Sequence, residues 1–134
     1  MPPPDWPVTS NPTRTSPVKR GKWVLENLLG TPPPPPPTVF ELDKPGAQLK
    51  GTLRERMEEH RKNPACANCH TKMDAMGFAF ENFNAIGAFR AKDGDFPIDP
   101  AGVLPDGRSF KDPAQLKAIL KEKKDLVARN LAEK

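Results

Sequence analysis

Both cysteines of this 134-residue chain lie in one short stretch, Cys66-Ala67-Asn68-Cys69-His70, and a histidine directly follows the second cysteine. Thiols and imidazoles bind metals, and paired thiols also exchange with disulfides. Two thiols at this spacing can add to the two vinyl groups along one edge of a porphyrin, and the next histidine can then bind the iron. The stretch therefore has four interpretations: covalent haem attachment, zinc binding, thiol–disulfide exchange, or a chance occurrence.

Haem attachment is the interpretation that the sequence favours. A zinc site needs four ligands. Cys66, Cys69, His70 and His60 make four, but neighbouring Cys69 and His70 point in different directions and a second Cys or His pair is missing. A dithiol oxidoreductase places its cysteine pair at the start of a helix in a βαβ unit, and no such pattern precedes Cys66. Covalent haem attachment uses both thiols and the imidazole at once.

The composition indicates a small domain with little material for a core. Only 36% of the residues are hydrophobic, and 18 are proline. Small domains often need a metal, disulfide, cofactor or partner to fold stably, and a haem would supply apolar volume. The net charge of +4 is not gathered into one basic block, so we expect no nucleic-acid binding. The charge indicates either an ordinary solvated, mildly basic surface or, more specifically, docking to an acidic redox partner protein.

The location of the protein follows from two further features. No apolar run approaches the roughly 18 residues of a membrane helix, so we expect no membrane span. The start, MPPPDWPVTS, lacks the basic and then apolar segments of a secretory signal. The chain is therefore either cytoplasmic or a fragment of an exported protein.

Residues 15–30 are predicted to form a helix with both ends marked. Ser16 can cap it, Pro17 suits its first position, and Gly30 suits the position just past its end. Gly21 lies on the apolar face of this helix, where it permits close approach of another backbone or of a flat ligand. Core packing is the default interpretation of that face.

Irregular segments flank this helix. Residues 1–14 are predicted to be an irregular arm. Residues 31–48 form a proline-rich connector, in which TPPPPPPT predicts a polyproline II rod. We interpret the rod as a stiff spacer rather than as a ligand for a proline-recognising domain.

Residues 49–134 are predicted to form the haem c-binding domain. Its first helix, 49–61, has a capping box of Thr52 and Glu55, and Asn63-Pro64 ends it. One narrow stripe of this helix faces inward: Leu53, Met57 and His60.

The rest of this domain supplies turns, a hairpin and a final helix. Asp-Gly pairs at 93–94 and 106–107 predict a small β-hairpin or paired extended segments. Asp112 caps a last helix that begins at Pro113. Its predicted inward residues are Leu116, Ile119, Leu120 and Leu126. Candidate pocket walls, for which ordinary packing is an equal alternative, are Gly77, Phe78, Phe80, Phe83 and Gly87.

Three stretches, at 14–37, 53–90 and 93–110, together resemble a known family. They include RTSPVKRGKWVLENLLG and NPACANCHTKMDAMGFAFENFNAIGAFR, and they are similar to the planctomycete-type cytochrome c domains of unknown function, found near the C-terminus of large exported proteins. The resemblance implies that Cys66 and Cys69 attach haem c and that His70 ligates its iron.

The resemblance also implies a periplasmic or otherwise exported protein. The chain departs from the family pattern at Ala75, where a proline usually stands, and at Asn84, where aspartate is common. We also expect an upstream part of the parent protein to be missing and the C-terminus to be truncated within the last helix.

A second axial ligand has several candidates. His60 is preferred, because it shares the inward stripe and the family pattern has histidine there. Met73 lies on the same side as His70 if the helix continues, and Met76 would have to pass around the macrocycle edge, so both are weaker. Met57 is a further candidate. The alternatives are that His60 is an ordinary helix-end histidine bonded to a carbonyl or solvent, that the distal site is open, or that another segment provides the ligand.

The predicted fold is mainly α and cytochrome c-like, with three to four short helices, a short β-hairpin and a polyproline connector. The predicted function is electron transfer by one covalent haem c, as a module of a larger exported redox protein. No catalytic residue is assigned, and we expect an electron carrier rather than an enzyme. The alternatives are a haem enzyme with an open distal site and a non-redox interaction module stabilised by its cofactor. Partners would be a redox protein or other domains of the parent protein.

Overall fold

A computed structural model describes residue 10 and residues 14–35 and 51–133. In this part of the chain the fold is mainly α, as predicted, and it has two small β-hairpins where one short hairpin was predicted. The helices are α1 (Pro17–Asn27), α2 (Leu53–His60), α3 (Pro64–Phe78), α4 (Pro113–Glu122) and α5 (Lys124–Ala132). Strand β1 (Lys92–Asp93) pairs antiparallel with β2 (Phe96–Pro97), and β3 (Gly102–Val103) pairs antiparallel with β4 (Ser109–Phe110).

Two predicted segments lie largely outside the described residues. Most of the arm at 1–14 and residues 36–48 of the connector belong to this group. The described start of the connector, residues 31–35, contains neither helix nor strand. The polyproline rod therefore stays a prediction.

Helices α1, α2 and α4 begin where Ser16, Thr52 and Asp112 predict. The Ser16 hydroxyl accepts from the Lys19 amide at 3.2 Å, and Thr52 forms the predicted capping box at α2. The Asn63 side chain caps α3, and the Asp112 side chain caps α4. These bonds satisfy amide groups that have no partner within their own helix.

The backbones of α1 and α3 are in direct contact through two glycines. A Cβ atom on Gly21 would lie 1.8 Å from the Met73 carbonyl oxygen, and one on Gly77 would lie 1.8 Å from that of Pro17. Because the start of α1 meets the end of α3, the two helices run in opposite directions. Gly21 was predicted to allow close approach of another backbone, and this is confirmed.

The core lies on both sides of α3. The larger cluster joins α1, α3, the second hairpin and α4 through Val24, Leu25, Met73, Met76, Ala79, Leu104, Phe110 and Leu116. The smaller cluster joins α2 to the end of α3 through Leu53, Met57 and Phe78. Helix α3 is therefore held from both sides by apolar contacts.

A buried polar network fixes the chain after α3. The Arg20 guanidinium donates to the carbonyl oxygens of Phe80 at 2.6 Å, Phe83 at 2.7 Å and Asn84 at 3.0 Å. Glu81 lies 3.6 Å from Arg20 and pairs with Arg90 at 3.0 Å. Burial raises the pKa of Glu81, while the Thr15 hydroxyl and the two arginines act in the opposite direction.

The prediction of a single last helix, and of three to four helices in all, is wrong for the described residues. The chain turns at Lys123, whose φ and ψ of −95° and 24° are not helical, and α5 follows. This turn brings the Asn130 amide to the carbonyl of Leu28, the residue just past α1, at 2.9 Å. Carbonyl groups at a helix end need partners from outside the helix. Leu126 is 38% exposed, so it is less inward than predicted.

The glycine contact between α1 and α3 gives a first prediction. Alanine is normally about 1 kcal/mol better than glycine within a helix, but Gly21→Ala or Gly77→Ala forces two backbones apart. We expect a net destabilisation of about 1–3 kcal/mol in urea unfolding. Ala118→Leu, which adds volume on the exposed side of α4, is the control and should change little. Stabilisation by either alanine would contradict the contact.

A second prediction concerns Arg20. A lysine cannot bond three carbonyl oxygens with a planar fork, so Arg20→Lys should destabilise the fold by about 2–4 kcal/mol, since hydrogen bonds from charged groups contribute roughly 1.5–3 kcal/mol each. The same change at exposed Arg129 is the matched control. Equal unfolding midpoints for the two variants would show that the network does not stabilise the fold.

Candidate functional site

The candidate site lies in the first turns of α3. Asn63 ends the preceding turn and caps α3, and Pro64 occupies its first turn. In a helix, residues three and four apart share a face, so Cys66 shares a face with Cys69 and with His70. Cys69 and His70 are neighbours in α3 and lie about 100° apart around its axis. The Asn63-Pro64 pair, which was predicted to end the preceding helix, thus also starts the helix that places the three side chains together.

The two thiols are free and partly exposed. Neither cysteine forms a disulfide, and both are intermediate in burial. Side chains in this state are accessible from solution while their helix is held by the core. The arrangement provides two nucleophilic sulfur atoms one helical turn apart.

The His70 ring is oriented by a buried carboxylate. Its Nδ1 atom lies 3.0 Å from Oδ1 and 3.2 Å from Oδ2 of Asp74. Asp74 follows His70 by one helical turn, and its side chain is fully buried, whereas 20% of the His70 side chain is exposed. Because a carboxylate can only accept, Nδ1 carries the hydrogen, and the lone pair of the neutral ring is on Nε2. Nε2 is therefore the atom that can bind a metal.

The Arg61 side chain adds a positive charge next to the His70–Asp74 pair. The Nε atom of Arg61, directly after α2, lies 3.9 Å from Oδ2 of Asp74. The Arg61 guanidinium also pairs with Glu58 at 3.5 Å, at the surface. Since an unpaired buried carboxylate is strongly unfavourable, His70 and Arg61 together account for the full burial of Asp74.

His60 lies beside His70 at the end of α2. The two ring centroids are 5.0 Å apart, and the ring planes meet at 81°. Burial and the neighbouring His70 lower the pKa of His60, and Asp74 partly opposes this. The neutral ring, which is the form that binds metals, is thereby favoured. Two imidazoles on opposite sides of one metal ion have centroids about 6 Å apart, since metal–nitrogen bonds are about 2 Å long. The observed separation of the two ring centroids is therefore shorter than shared ligation of one metal ion requires.

The methionines that could bind iron lie in the apolar clusters. Met73 is 6% exposed and Met76 is fully buried in the larger cluster, and Met57 is 1% exposed in the smaller one. They act as core side chains in this structure. Of the candidate pocket walls, Gly77 packs under Pro17 and Phe78 packs in the smaller cluster, as the packing alternative predicts.

The donor set suits a haem better than a bare ion. Within the described residues, no three His, Cys, Asp or Glu side chains lie close enough to hold a metal ion. Zinc needs four protein ligands. A haem brings four nitrogens in its porphyrin and needs from the protein an axial ligand, with thiols for covalent attachment. The side chains of Cys66, Cys69 and His70 are of the types that such a cofactor needs.

Comparison with known proteins identifies the family. The PSCyt3 family model, described as a protein of unknown function (DUF1588), matches residues 6–93, about two thirds of the chain. The chain belongs to the PSCyt3 family. PSCyt3 is a planctomycete cytochrome-type domain family of unknown function. No curated protein and no solved structure matches the chain.

The PSCyt3 match contains the whole candidate site. It runs from before α1 to Asp93 in β1, so it includes α1, α2, α3 and the Arg20 network. The resemblance of residues 93–110 lies beyond it and stays a prediction. None of the helices in the described ranges has both the length and the apolar composition needed to cross a membrane.

Sequence reasoning did not identify Asp74 or Arg61 as part of the site. The usable signal for Asp74 is its spacing, because it lies four residues after His70 in a segment that continues the helix of the cysteines. An aspartate one turn after a histidine in a predicted helix can bond the ring.

The exposure of the thiols gives a third prediction. Cys66 and Cys69 are both free and partly exposed, so a maleimide reagent should label two thiols per haem-free folded chain. Cys66→Ala and Cys69→Ala should each reduce the label to one. Mass spectrometry of the labelled protein measures this. Thiols that react only after unfolding in urea would contradict the placement.

Proposed function

We propose that this protein is an electron-transfer module that carries one covalent haem c on α3. The carrying observation is that Cys66, Cys69 and His70 lie within the first two turns of α3 while Asp74 holds the Nδ1 side of the imidazole. This arrangement leaves two thiols and the Nε2 atom of His70 for a cofactor. The membership in a cytochrome-type family supports the same conclusion.

In this proposal Cys66, Cys69 and His70 have different roles. The sulfur atoms of Cys66 and Cys69 hold the porphyrin by thioether bonds, and His70 provides the proximal nitrogen. The haem iron would take up and release one electron. The contact between α1 and α3 keeps the binding face rigid, because neither helix can shift without disturbing the two glycine contacts.

The proposal includes an exported location and a redox partner. Both follow from the resemblance to cytochrome c domains of large exported proteins. The partner would be a separate redox protein or another domain of the same polypeptide. Partly exposed thiols at the attachment site fit an edge of the cofactor that faces such a partner.

A second candidate function is a haem enzyme with an open distal site. The observation that favours it is the His60–His70 contact, since the centroid separation of 5.0 Å is shorter than shared ligation requires. The His60 ring would then neighbour the site without binding iron. His60 as the sixth ligand and an open site are distinguished by spectroscopy.

The fourth prediction tests haem attachment. Protein produced with a haem-maturation system should be red and should keep its colour after acid–acetone extraction, because thioether bonds survive this treatment. The double variant Cys66→Ala, Cys69→Ala should lose its haem to the acid–acetone. Asn68→Ala, between the cysteines, is the matched control and should keep it. Wild-type protein that binds zinc but no haem would contradict the proposal.

The fifth prediction concerns the sixth ligand. If His60 binds the iron, the holoprotein is low-spin in both redox states, and His60→Ala turns the ferric form high-spin and lets it bind carbon monoxide when reduced. Absorption spectra of the two proteins measure this. Glu59→Ala, on the exposed side of α2, should leave the spectrum unchanged. A wild-type protein that is already high-spin and reacts rapidly with peroxide would support the enzyme instead.

A further inference from the structure

The histidine that would bind iron has an ionic partner, which neither the motif nor the family assigns. Asp74 bonds Nδ1 of His70 with both carboxylate oxygens within 3.2 Å. The carboxylate is fully buried, so water does not weaken this bond by competition. A hydrogen bond from a ligating imidazole to a carboxylate fixes its tautomer and raises its basicity.

We propose that Asp74 is a positioning residue that sets the reduction potential of the module through His70, with Arg61 acting against it. This inference rests on the proposed haem function. A more basic imidazole donates more charge and favours the oxidised metal, so the Asp74 contact lowers the potential. Arg61 draws on the same carboxylate from 3.9 Å and moderates the effect.

The position of His70 and Asp74 in one helix fixes the distance between the imidazole ring and the carboxylate. His70 and Asp74 lie one turn apart on the same continuous helix, so their separation does not depend on how separate segments pack. The next turn of α3 contains Gly77, which is in close contact with the backbone of Pro17. The carboxylate is therefore held at a fixed position relative to the ring whenever α3 is folded.

Because Asp74 and Arg61 carry opposite charges, we expect removal of each charge to shift the reduction potential in the opposite direction. Asp74→Asn keeps the size and an acceptor oxygen but removes the charge, so the potential should rise. Arg61→Gln removes the opposing cation, so the potential should fall. A merely structural role would not produce shifts of opposite sign, because both variants would loosen the same cluster.

The experiment is a redox titration of the wild-type holoprotein and three variants. Asp74→Asn should change the ratio of oxidised to reduced protein at a fixed potential by about tenfold or more, which is about 59 mV for a one-electron couple. Glu58→Gln is the control, because it also removes a carboxylate that pairs with Arg61 but lies at the surface. Its shift should stay well below tenfold, since exposed charges are screened.

The outcomes separate this inference from the proposed function. Shifts of opposite sign for Asp74→Asn and Arg61→Gln, both larger than that of Glu58→Gln, support it. An Asp74→Asn shift no larger than the control, or two shifts of the same sign, overturns it while the holoprotein itself upholds the haem function. If Asp74→Asn yields no holoprotein, Arg61→Gln decides alone, and any result but a fall in potential overturns the inference. Wild-type protein without haem overturns both.

Discussion

The close contact between the backbones of α1 and α3 is the constraint on which the rest of the structure depends. With hydrogen atoms alone at Gly21 and Gly77, the two helices approach to a distance that no side chain would permit. Their apolar residues then form one core with the second hairpin and α4. This rigid pair is how a chain with few hydrophobic residues holds a helix firmly enough to carry a site.

The site uses the half of α3 that this contact leaves accessible. The end of α3 is pinned under Pro17, while its first turns carry the thiols and His70 next to α2. Arg61, directly after α2, then meets the buried Asp74. Helix α2 thus contributes apolar side chains to the smaller cluster, and Arg61, the next residue, provides the positive charge beside Asp74. The packing of α2 therefore also determines where this charge lies.

Local signals predicted much of this structure, and tertiary contacts determined the rest. The caps at Ser16, Thr52 and Asp112 were predictable because each involves residues three apart in sequence. The break at Lys123 was not, since it is explained by Asn130 reaching the end of α1, 102 residues away in sequence. Cys66, Cys69 and His70 were recognisable as a motif, whereas the role of Asp74 depends on its burial, which a motif does not show.

The central claim is that Cys66 and Cys69 hold a haem covalently on α3. Trypsin cleaves after Lys62 and Lys72, so it releases residues 63–72, which contain both cysteines and His70. Mass spectrometry of digested protein from a maturation-competent host tests the claim most directly. We expect this peptide to carry the mass of one haem, bound through both cysteines. The same peptide at its unmodified mass, from protein that has had access to haem, would contradict it.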